Sequence, residues 1–161
     1  MRKIFIFIFC CFVFLIGFLF FYFYNNSISL KDHKTTLCFD NLEKSCFLVD
    51  LAKTYKEKQK GLMFEEYLEK EKGMLFVFDK EGIYPFWMKN TLIPLDIIWI
   101  DKNKKVVFVN ENTQPCSNEK ELNSVCPSIN PEINARYVLE INAGLVKELK
   151  IEIGDYAYFD I

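Results

Sequence analysis

Residues Phe86 to Ile100 read FWMKNTLIPLDIIWI and hold the pattern that decides the fold. A polar turn separates an aromatic run from an apolar run, and Pro94 interrupts strand pairing between them. The apolar run carries one charge, Asp96, among leucine, isoleucine and tryptophan side chains. A carboxylate in such a run is costly to bury unless it is paired or hydrogen-bonded. We therefore predict a buried strand over residues 96–100, with Asp96 as a constrained site, either structural or functional.

Patterns of short strands lie on both sides of this stretch. We predict further strands at residues 35–39, 46–51, 74–78, 84–88, 105–110, 137–141 and 156–159. Thr54 and Glu57 have capping-box spacing, which predicts a short helix over residues 55–63 that ends near Gly61. Asn142 is placed to cap a second helix over residues 143–149. The chain is therefore predicted to fold as an α+β, mainly β, compact domain, barrel-like or a sandwich, with two short helices.

Four sequence blocks connect the chain with a known family. GLMFEEYLEKEKGMLFVF, FWMKNTLIPLDIIWID, ARYVLEINAG and IGD follow one another between Gly61 and Asp155. Through these blocks the chain resembles the domain-of-unknown-function 192 family (uncharacterised protein family 0127), over roughly Cys46 to Phe159. The resemblance implies a compact, strand-rich single domain, often behind a signal or membrane segment. It implies no reaction, cofactor or catalytic residue, and the longer, Asn/Ser/Glu-rich segment 116–134 departs from the family pattern.

The N-terminal segment is a long uncharged run. Residues 4–24 include nine phenylalanines, and as a helix they would span about 31 Å, close to one hydrocarbon core. The run is longer than the apolar part of a signal peptide, and no A-x-A-like cleavage site follows it. We therefore favour a retained anchor over a cleaved signal, and either of these over an apolar core helix.

The charges beside this run predict its orientation. Arg2 and Lys3 precede it, so the positive-inside rule directs the following residues outward. We predict an anchor over residues 1–24, a linker over 25–34 and an exported domain over 35–161. The domain is predicted to lie on the extracytoplasmic side of a membrane, in a periplasm or outside the cell.

The numbers of acidic and basic residues indicate which kinds of partner the chain can bind. The chain of 161 residues has 20 basic and 22 acidic side chains, and it is more acidic once Arg2 and Lys3 are set aside. No basic block or basic aromatic platform is present, so nucleic-acid binding is not expected. The predicted partners are a membrane, through the N-terminal segment, and a small polar ligand or an envelope protein.

Four cysteines follow the apolar run, namely Cys38, Cys46, Cys116 and Cys126. An even number behind an exporting segment indicates disulfides. Three pairings are possible, and we favour 38–46 and 116–126 because each closes a short loop; free or buried thiols are the alternative. Neither spacing is that of a zinc site, and the sole histidine, His33, lies in the linker. We therefore predict no metal and no cofactor.

The polar turn after Phe86 is the candidate ligand site. Trp87, Lys89, Asn90 and Thr91 would combine an apolar wall with a few polar groups, as small-molecule pockets do. In the alternative interpretation, Asn90 and Thr91 only hydrogen-bond the backbone of their own turn.

Asp96 has two candidate cationic partners, Lys89 and Arg136, and arginine forms the better buried pair with a carboxylate. Such a pair either fixes the strands structurally or serves a site in which Arg136 binds an anionic group. The complete predicted ligand-binding set is Trp87, Lys89, Asn90, Thr91, Asp96 and Arg136.

Other chemistry finds less support in the sequence. There is no G-x-S-x-G motif, no phosphate loop and no histidine beyond the linker, which argues against histidine-dependent catalysis. Three methionines allow a Cu(I) site, but core packing explains them more simply. Glu111 and Glu140 would supply a carboxylate pair only if the fold brought them together, which the sequence does not show.

Three hypotheses about function follow from these patterns. The first is a membrane-tethered extracytoplasmic domain that binds a small ligand or acts as an accessory module. The second is an envelope hydrolase that acts on saccharide or cell-wall material through Asp96 or another carboxylate. The third is a purely structural interaction domain.

Overall fold

The computed structural model describes residues 15–19, 33–40, 45–116 and 126–161. The chain divides into two compact units, Met1–His33 and Lys34–Ile161. In the first unit residues 15–19 are helical, and most of the predicted anchor and linker lies outside the described residues. Within the described part of the chain, no helix combines the length and apolar character needed to cross a membrane.

A seven-stranded sheet forms the second unit, in the order β6-β5-β8-β3-β2-β1-β9. The strands of the described residues are β1 Lys34–Phe39, β2 Cys46–Ala52, β3 Lys72–Gly82, β4 Phe86–Trp87, β5 Leu95–Ile100, β6 Val106–Thr113, β7 Ser128–Ile129, β8 Ala135–Asn142 and β9 Ala157–Tyr158. Neighbours in the large sheet are antiparallel except for β2 and β3, which are parallel. Strands β4 and β7 pair with each other in a small separate sheet.

The large sheet curls until its two outer strands approach each other. Lys105, next to β6, forms an antiparallel bridge with Tyr156, next to β9. The N–H of Val106 donates to the carbonyl of Asp155 at 2.8 Å, and the N–H of Ala157 donates to the carbonyl of Lys104 at 2.8 Å. The domain is therefore mainly β and barrel-like, as predicted, and it is not a sandwich.

Apolar side chains cover both faces of the sheet. All six residues of β5 are buried, which explains why this strand is an almost continuous apolar run rather than an alternating one. Ile98 and Ile100 belong to the core on one face, while Ile97 and Trp99 belong to the core on the other. The prediction that Trp99 packs in the core is confirmed, since it is fully buried.

The first helix, α1, spans Tyr55–Lys60 and has the predicted capping box. Thr54 Oγ1 accepts a hydrogen bond from the N–H of Glu57 at 3.2 Å, and Glu57 Oε2 accepts one from the N–H of Thr54 at 2.8 Å. The helix ends at Lys60 with Gly61 at its C-cap, which confirms the predicted end near Gly61, because Gly61 takes a positive φ of 48°.

The second helix, α2, spans Leu145–Glu148 and begins later than predicted. Gly144 holds the N-cap position with a φ of 89° and provides no side-chain cap. Asn142, the predicted cap, instead belongs to β8 and donates its side-chain amide to the carbonyl of Leu68 at 2.9 Å. The prediction of an Asn142 cap was therefore wrong because that side chain is used to hold the loop before β3.

Both favoured disulfides are present. Cys38–Cys46 joins paired positions of the β1–β2 hairpin. Cys116–Cys126 joins the residues on either side of the segment 117–125, which lies outside the described residues. The predicted connectivity is confirmed.

Candidate functional site

An aromatic cleft of about 490 Å³ opens between α1 and the chain segment that leads into β4. Six aromatic side chains line it, namely Tyr55, Phe76, Phe78, Tyr84, Phe86 and Trp87. Tyr55 is 76% exposed and Trp87 is 50% exposed, so both present ring faces to solvent at this surface. A concave, mostly apolar cleft of this volume has the size and character of a small-molecule site.

Buried contacts fix the aromatic wall of this cleft in place. The indole Nε1 of Trp99 donates to the carbonyl of Tyr84 at 2.8 Å, so the core tryptophan anchors the start of the wall. The ring of Tyr84 stacks on Phe78 with centroids 3.6 Å apart, and Phe86 packs edge-on against Phe76 at 4.8 Å. The wall is thus held by the sheet beneath it rather than left as a loose loop.

A smaller cavity of about 30 Å³, here called the Glu140 cavity, adjoins the aromatic cleft. The two share five lining residues, including Lys58, Phe86 and Trp87. Thr91 and the carboxyl group of Glu140 complete its polar lining together with lysine and glutamine side chains. Its volume is about that of one water molecule or one small polar group of a ligand.

Glu140 is the most unusual residue of this region. It lies on β8 between Met74 of β3 and Ile97 of β5, is 5% exposed, and its buried Oε2 has no hydrogen-bond partner among the described residues. Burial raises the pKa of this carboxyl from 4.5 to about 8, because an apolar environment disfavours the charged form. At neutral pH it is therefore mainly uncharged and can donate a hydrogen bond.

Gly61 keeps the space beside Glu140 open. A Cβ at this position would lie 3.1 Å from Phe76 Cζ and 3.8 Å from Glu140 Oε2. Its positive φ also ends α1 and turns the chain over the cavity. Glycine is thus needed here both for its backbone conformation and for its lack of a side chain.

Lysines give the rim of both cavities a positive charge. Lys58 Nζ donates to the carbonyl of Val77 at 2.6 Å and lies 4.8 Å from the centroid of Phe78. Lys89 Nζ lies 5.3 Å from the centroid of Trp87. Within the described part of the chain, neither ammonium group has a carboxylate at ion-pair distance.

Three of the predicted ligand-binding residues lie together here, since Trp87, Lys89 and Thr91 all line the Glu140 cavity. Asn90 does not line it and has a structural place in the turn, with a φ of 56°. Its N–H donates to the carbonyl of Cys116, and its carbonyl accepts from the N–H of Phe64. Asn90 thus holds the turn against two other segments through its backbone, and ligand binding by Trp87, Lys89, Asn90 and Thr91 remains a prediction.

Asp96 lies outside both cavities and does not form the expected ion pair. It is fully buried, and its Oδ1 accepts from the N–H of Asn112 at 2.7 Å while its Oδ2 accepts from the N–H of Val146 at 2.8 Å. Among the described residues, neither Lys89 nor Arg136 lies within 4.0 Å of its oxygens. The prediction of a cationic partner was wrong because backbone N–H groups, one of them in the first turn of α2, satisfy this carboxylate.

Arg136 is likewise placed away from the aromatic cleft and the Glu140 cavity. The residue is half-buried, and its Nε is buried without a hydrogen-bond partner in the described part of the chain. Arg136 therefore shares a site neither with Asp96 nor with Trp87, Lys89 and Thr91.

Glu140 was the residue that the sequence did not single out. The sequence suggests it only as a partner for Glu111, although it is the one charge in the apolar run 137–141. The same signal, a lone carboxylate in a buried strand, drew attention to Asp96. No group of three or more His, Cys, Asp or Glu residues in the described ranges is arranged to hold a metal ion.

Comparisons with known proteins identify a family, and two of the solved structures with a similar fold are described here. The sequence model of the DUF192 family, described as "Uncharacterized ACR", matches residues 38–159. A Sinorhizobium meliloti 1021 protein described as a "putative transcription regulator" is 30% identical with a TM-score of 0.71, covering 78% of this chain and 93% of its own. A protein of unknown function from Novosphingobium aromaticivorans DSM 12444 is 32% identical with a TM-score of 0.68. This match covers 76% of the present chain and 83% of the Novosphingobium chain. No curated protein matches the sequence.

Proposed function

This chain belongs to the DUF192 family, whose description names no activity, and we propose from its own geometry that it is a small-ligand-binding domain. The ligand occupies the aromatic cleft, with a ring against Phe86 and Trp87 and a polar group in the Glu140 cavity. Trp87, Lys89 and Thr91, which the sequence predicts as ligand-binding residues, contribute to this site. The domain then works as a binding or accessory module.

The observation that carries this proposal is the buried Oε2 of Glu140, which has no hydrogen-bond partner among the described residues. A buried polar atom without a hydrogen bond costs about 1–3 kcal/mol, so a protein keeps one at a cost to its own stability. Here the atom borders a cavity that adjoins an apolar cleft. A ligand that enters the cleft and hydrogen-bonds to Glu140 recovers that cost as binding energy.

The hydrolase alternative is less well supported. Both oxygens of Asp96 already accept backbone hydrogen bonds in a fully buried position, so this carboxylate is not accessible to a substrate. Glycoside hydrolysis uses two carboxyl groups that flank the bond to be cleaved. Glu140 is the one carboxyl group that lines its cavity among the described residues, and Asp79 lines only the wider cleft.

The role attributed to the Sinorhizobium meliloti protein does not change this proposal. Regulation of transcription through DNA contact calls for a basic surface that neutralises phosphates. This chain has 20 basic and 22 acidic residues and no basic block. We therefore propose a small molecule, and not nucleic acid, as the partner.

The location of the domain is part of the same proposal. The uncharged run 4–24 after Arg2 and Lys3 favours a single N-terminal anchor with the following domain on the extracytoplasmic side. Two disulfides fit an oxidising compartment. A tethered domain of this kind would meet its ligand in a periplasm or at the cell exterior.

A thermal-shift screen of the full-length chain in a mild nonionic detergent tests the proposal. The panel contains monosaccharides, sugar acids, small aromatic compounds and organic acids. At least one compound is expected to raise the Tm of the wild type, and Trp87→Ala is expected to abolish that rise. Tyr67→Ala is the matched control, because Tyr67 is 75% exposed and lines neither cavity.

A second variant separates binding from folding. Glu140→Leu removes a buried, unpartnered carboxyl group, so we expect the unliganded protein to be as stable as the wild type or more so. The rise in Tm caused by the compound should nevertheless disappear. Absence of any shift across the panel, or a shift that both Trp87→Ala and Glu140→Leu leave unchanged, overturns the proposal.

A further inference from the structure

We propose that the ligand of the aromatic cleft is a small organic anion, whose ring lies against Phe86 and Trp87 and whose acidic group is bound by Lys58 and Lys89. This inference deepens the proposed function and rests on it. It names the chemical class of the ligand, a ring compound that carries a carboxylate or phosphate. Nothing in the family description or in the two similar structures assigns such a ligand.

The balance of charge around the site favours an anion. Lys53, Lys58, Lys60 and Lys89 line the two cavities, against Asp79 and the carboxyl group of Glu140. Lys58 and Lys89 have no carboxylate at ion-pair distance in the described ranges, whereas Lys60 lies 3.8 Å from Glu65. Two ammonium groups beside the aromatic wall are therefore available to a negatively charged ligand.

A cationic ligand is disfavoured by the same two lysines. Aromatic faces attract cations, and a cage of rings with a carboxylate is a common site for ammonium compounds. Here the Lys58 ammonium already lies 4.8 Å from the ring of Phe78, and the Lys89 ammonium lies 5.3 Å from the ring of Trp87. The chain's own cations thus occupy these faces and would repel a second cation.

Glu140 is compatible with an anion because it is uncharged at neutral pH. Burial raises its pKa to about 8, so below that pH it donates a hydrogen bond to a ligand oxygen rather than repelling it. The residues that face it from β3 and β5 are apolar, namely Met74, Phe76 and Ile97. The charged groups around its cavity are Lys58 and Lys60 of α1 and Lys89 of the turn after β4.

Charge-matched probes test this inference on the full-length chain. One set is benzoate, phenyl phosphate, benzyl alcohol and benzylamine, and the other is D-glucuronate, D-glucose 6-phosphate, D-glucose and D-glucosamine. Kd values are measured by isothermal titration calorimetry in low salt at pH 6.5. In at least one set the anions should bind about tenfold more tightly than the neutral compound, and the amine more weakly than either.

Four variants assign the preference to particular residues. Lys89→Gln alone, and together with Lys58→Gln, should reduce the preference for the anion over the neutral compound to less than about threefold. Lys56→Gln is the control, because Lys56 lies on the same helix and lines neither cavity. In the wild type the affinity for the anion should fall as the pH rises through about 8, and Glu140→Gln should remove this fall.

The outcomes separate the inference from the proposed function. If the neutral compound or the amine binds as tightly as the anions or more tightly, and Trp87→Ala abolishes this binding, the inference of an anionic ligand is overturned. The proposed ligand-binding function then stands. The inference is also overturned if Lys56→Gln reduces the preference for the anion as much as Lys89→Gln does. No binding by any of the eight probes overturns both. A preference for phenyl phosphate over benzoate, or the reverse, identifies which acidic group the site accepts.

Discussion

The buried carboxylate of Asp96 accepts a hydrogen bond at 2.8 Å from the backbone N–H of Val146, fifty positions further along the chain. Val146 lies in the first turn of α2, where N–H groups have no partner within the helix. A side chain of β5 thus supplies the cap that α2 lacks from its own sequence, since Gly144 at the N-cap has no side chain. Asp96, the one charged residue of β5, therefore links the sheet to α2.

Asp96→Asn should destabilise the domain without a change in fold. The amide keeps one acceptor oxygen and turns an NH₂ group toward the N–H of Asn112 or Val146, which leaves buried donors without a partner. We expect a loss of about 2–4 kcal/mol in the free energy of unfolding, measured by urea denaturation.

Asp101→Asn is the matched control for this prediction. Asp101 Oδ1 also accepts two backbone hydrogen bonds, from Asn103 at 2.8 Å and Lys105 at 2.9 Å, but in a turn at the surface. Because water can replace a lost partner there, the expected loss is about 1 kcal/mol or less. Equal losses for the two variants would contradict the structural role of Asp96.

Glu140 should make stability depend on pH in a particular direction. Its pKa is about 8 in the folded protein and 4.5 as an ordinary carboxyl, so between these values the folded state holds a proton that the unfolded state has released. Stability is therefore greatest, as far as this group is concerned, below pH 4.5 and falls as the pH rises to about 8.

The difference between wild type and Glu140→Gln isolates this effect, because other titrating groups are common to both. The variant should gain stability relative to the wild type from pH 5 to pH 8, by an amount on the order of 3 kcal/mol. Urea unfolding at several pH values measures it. A difference that stays constant over this range would show that Glu140 is not a desolvated carboxyl.

Gly73→Ala tests how closely β3 and β8 approach each other. A Cβ at Gly73 would lie 2.6 Å from the backbone oxygen of Glu140 and 3.0 Å from Ile141 Cγ2, so the strands would have to shift. We expect a loss of about 2–3 kcal/mol. Gly82→Ala is the control on the same strand, since its Cβ would lie nearest to side-chain atoms of Tyr84, at 3.3 Å, and not to backbone, and it should cost about 1 kcal/mol or less.

The two disulfides should differ in their effect on the site. Cys116 exchanges backbone hydrogen bonds with Met88 and Asn90, beside the turn that carries Lys89 and Thr91. The double variant Cys116→Ser with Cys126→Ser should therefore speed amide hydrogen exchange in peptide 86–94, in addition to lowering stability by about 2–3 kcal/mol. Cys38→Ser with Cys46→Ser should lower stability similarly and leave that peptide protected.

The N-terminal run should hold the chain in a membrane. After expression and cell lysis, the full-length chain is expected in the membrane fraction even after an alkaline carbonate wash, because 21 uncharged residues match one hydrocarbon core. Deletion of residues 1–24 should release the protein to the supernatant. If the full-length chain, at its unprocessed mass, is instead extracted from the membranes by the carbonate wash, this would contradict a spanning anchor.

Local patterns predicted the elements whose partners are close in the sequence. Cys38 and Cys46 end the two strands of one hairpin, and Thr54 with Glu57 forms a capping box within one helical turn. In each case the side chains involved stand at a fixed short spacing, and in the capping box each of them binds a backbone N–H of the same turn, so the residue types alone carry the information. The mainly β fold class followed from the number of such short strands, whereas the choice of a barrel-like form over a sandwich depends on the bridge between Lys105 and Tyr156.

The candidate site was predicted only in part because its main groups come from distant segments. Trp87, Lys89 and Thr91 were found since they share one turn, but Glu140 enters their cavity from β8, and only the folded sheet brings it there. The partners of Asp96 were missed for another reason. They are backbone N–H groups, which every residue except proline possesses and which no sequence pattern marks.

Closure of the curled sheet has a consequence for folding kinetics. The pairing of Cys38 with Tyr158 joins positions 120 residues apart, whereas the disulfides connect residues only 8 and 10 positions apart. Oxidation therefore shortens only slightly the long loops whose closure limits the folding rate of such topologies. We expect the reduced and oxidised chains to form the same sheet at similar rates. The redox state during synthesis therefore affects the rate of unfolding more than the rate of folding.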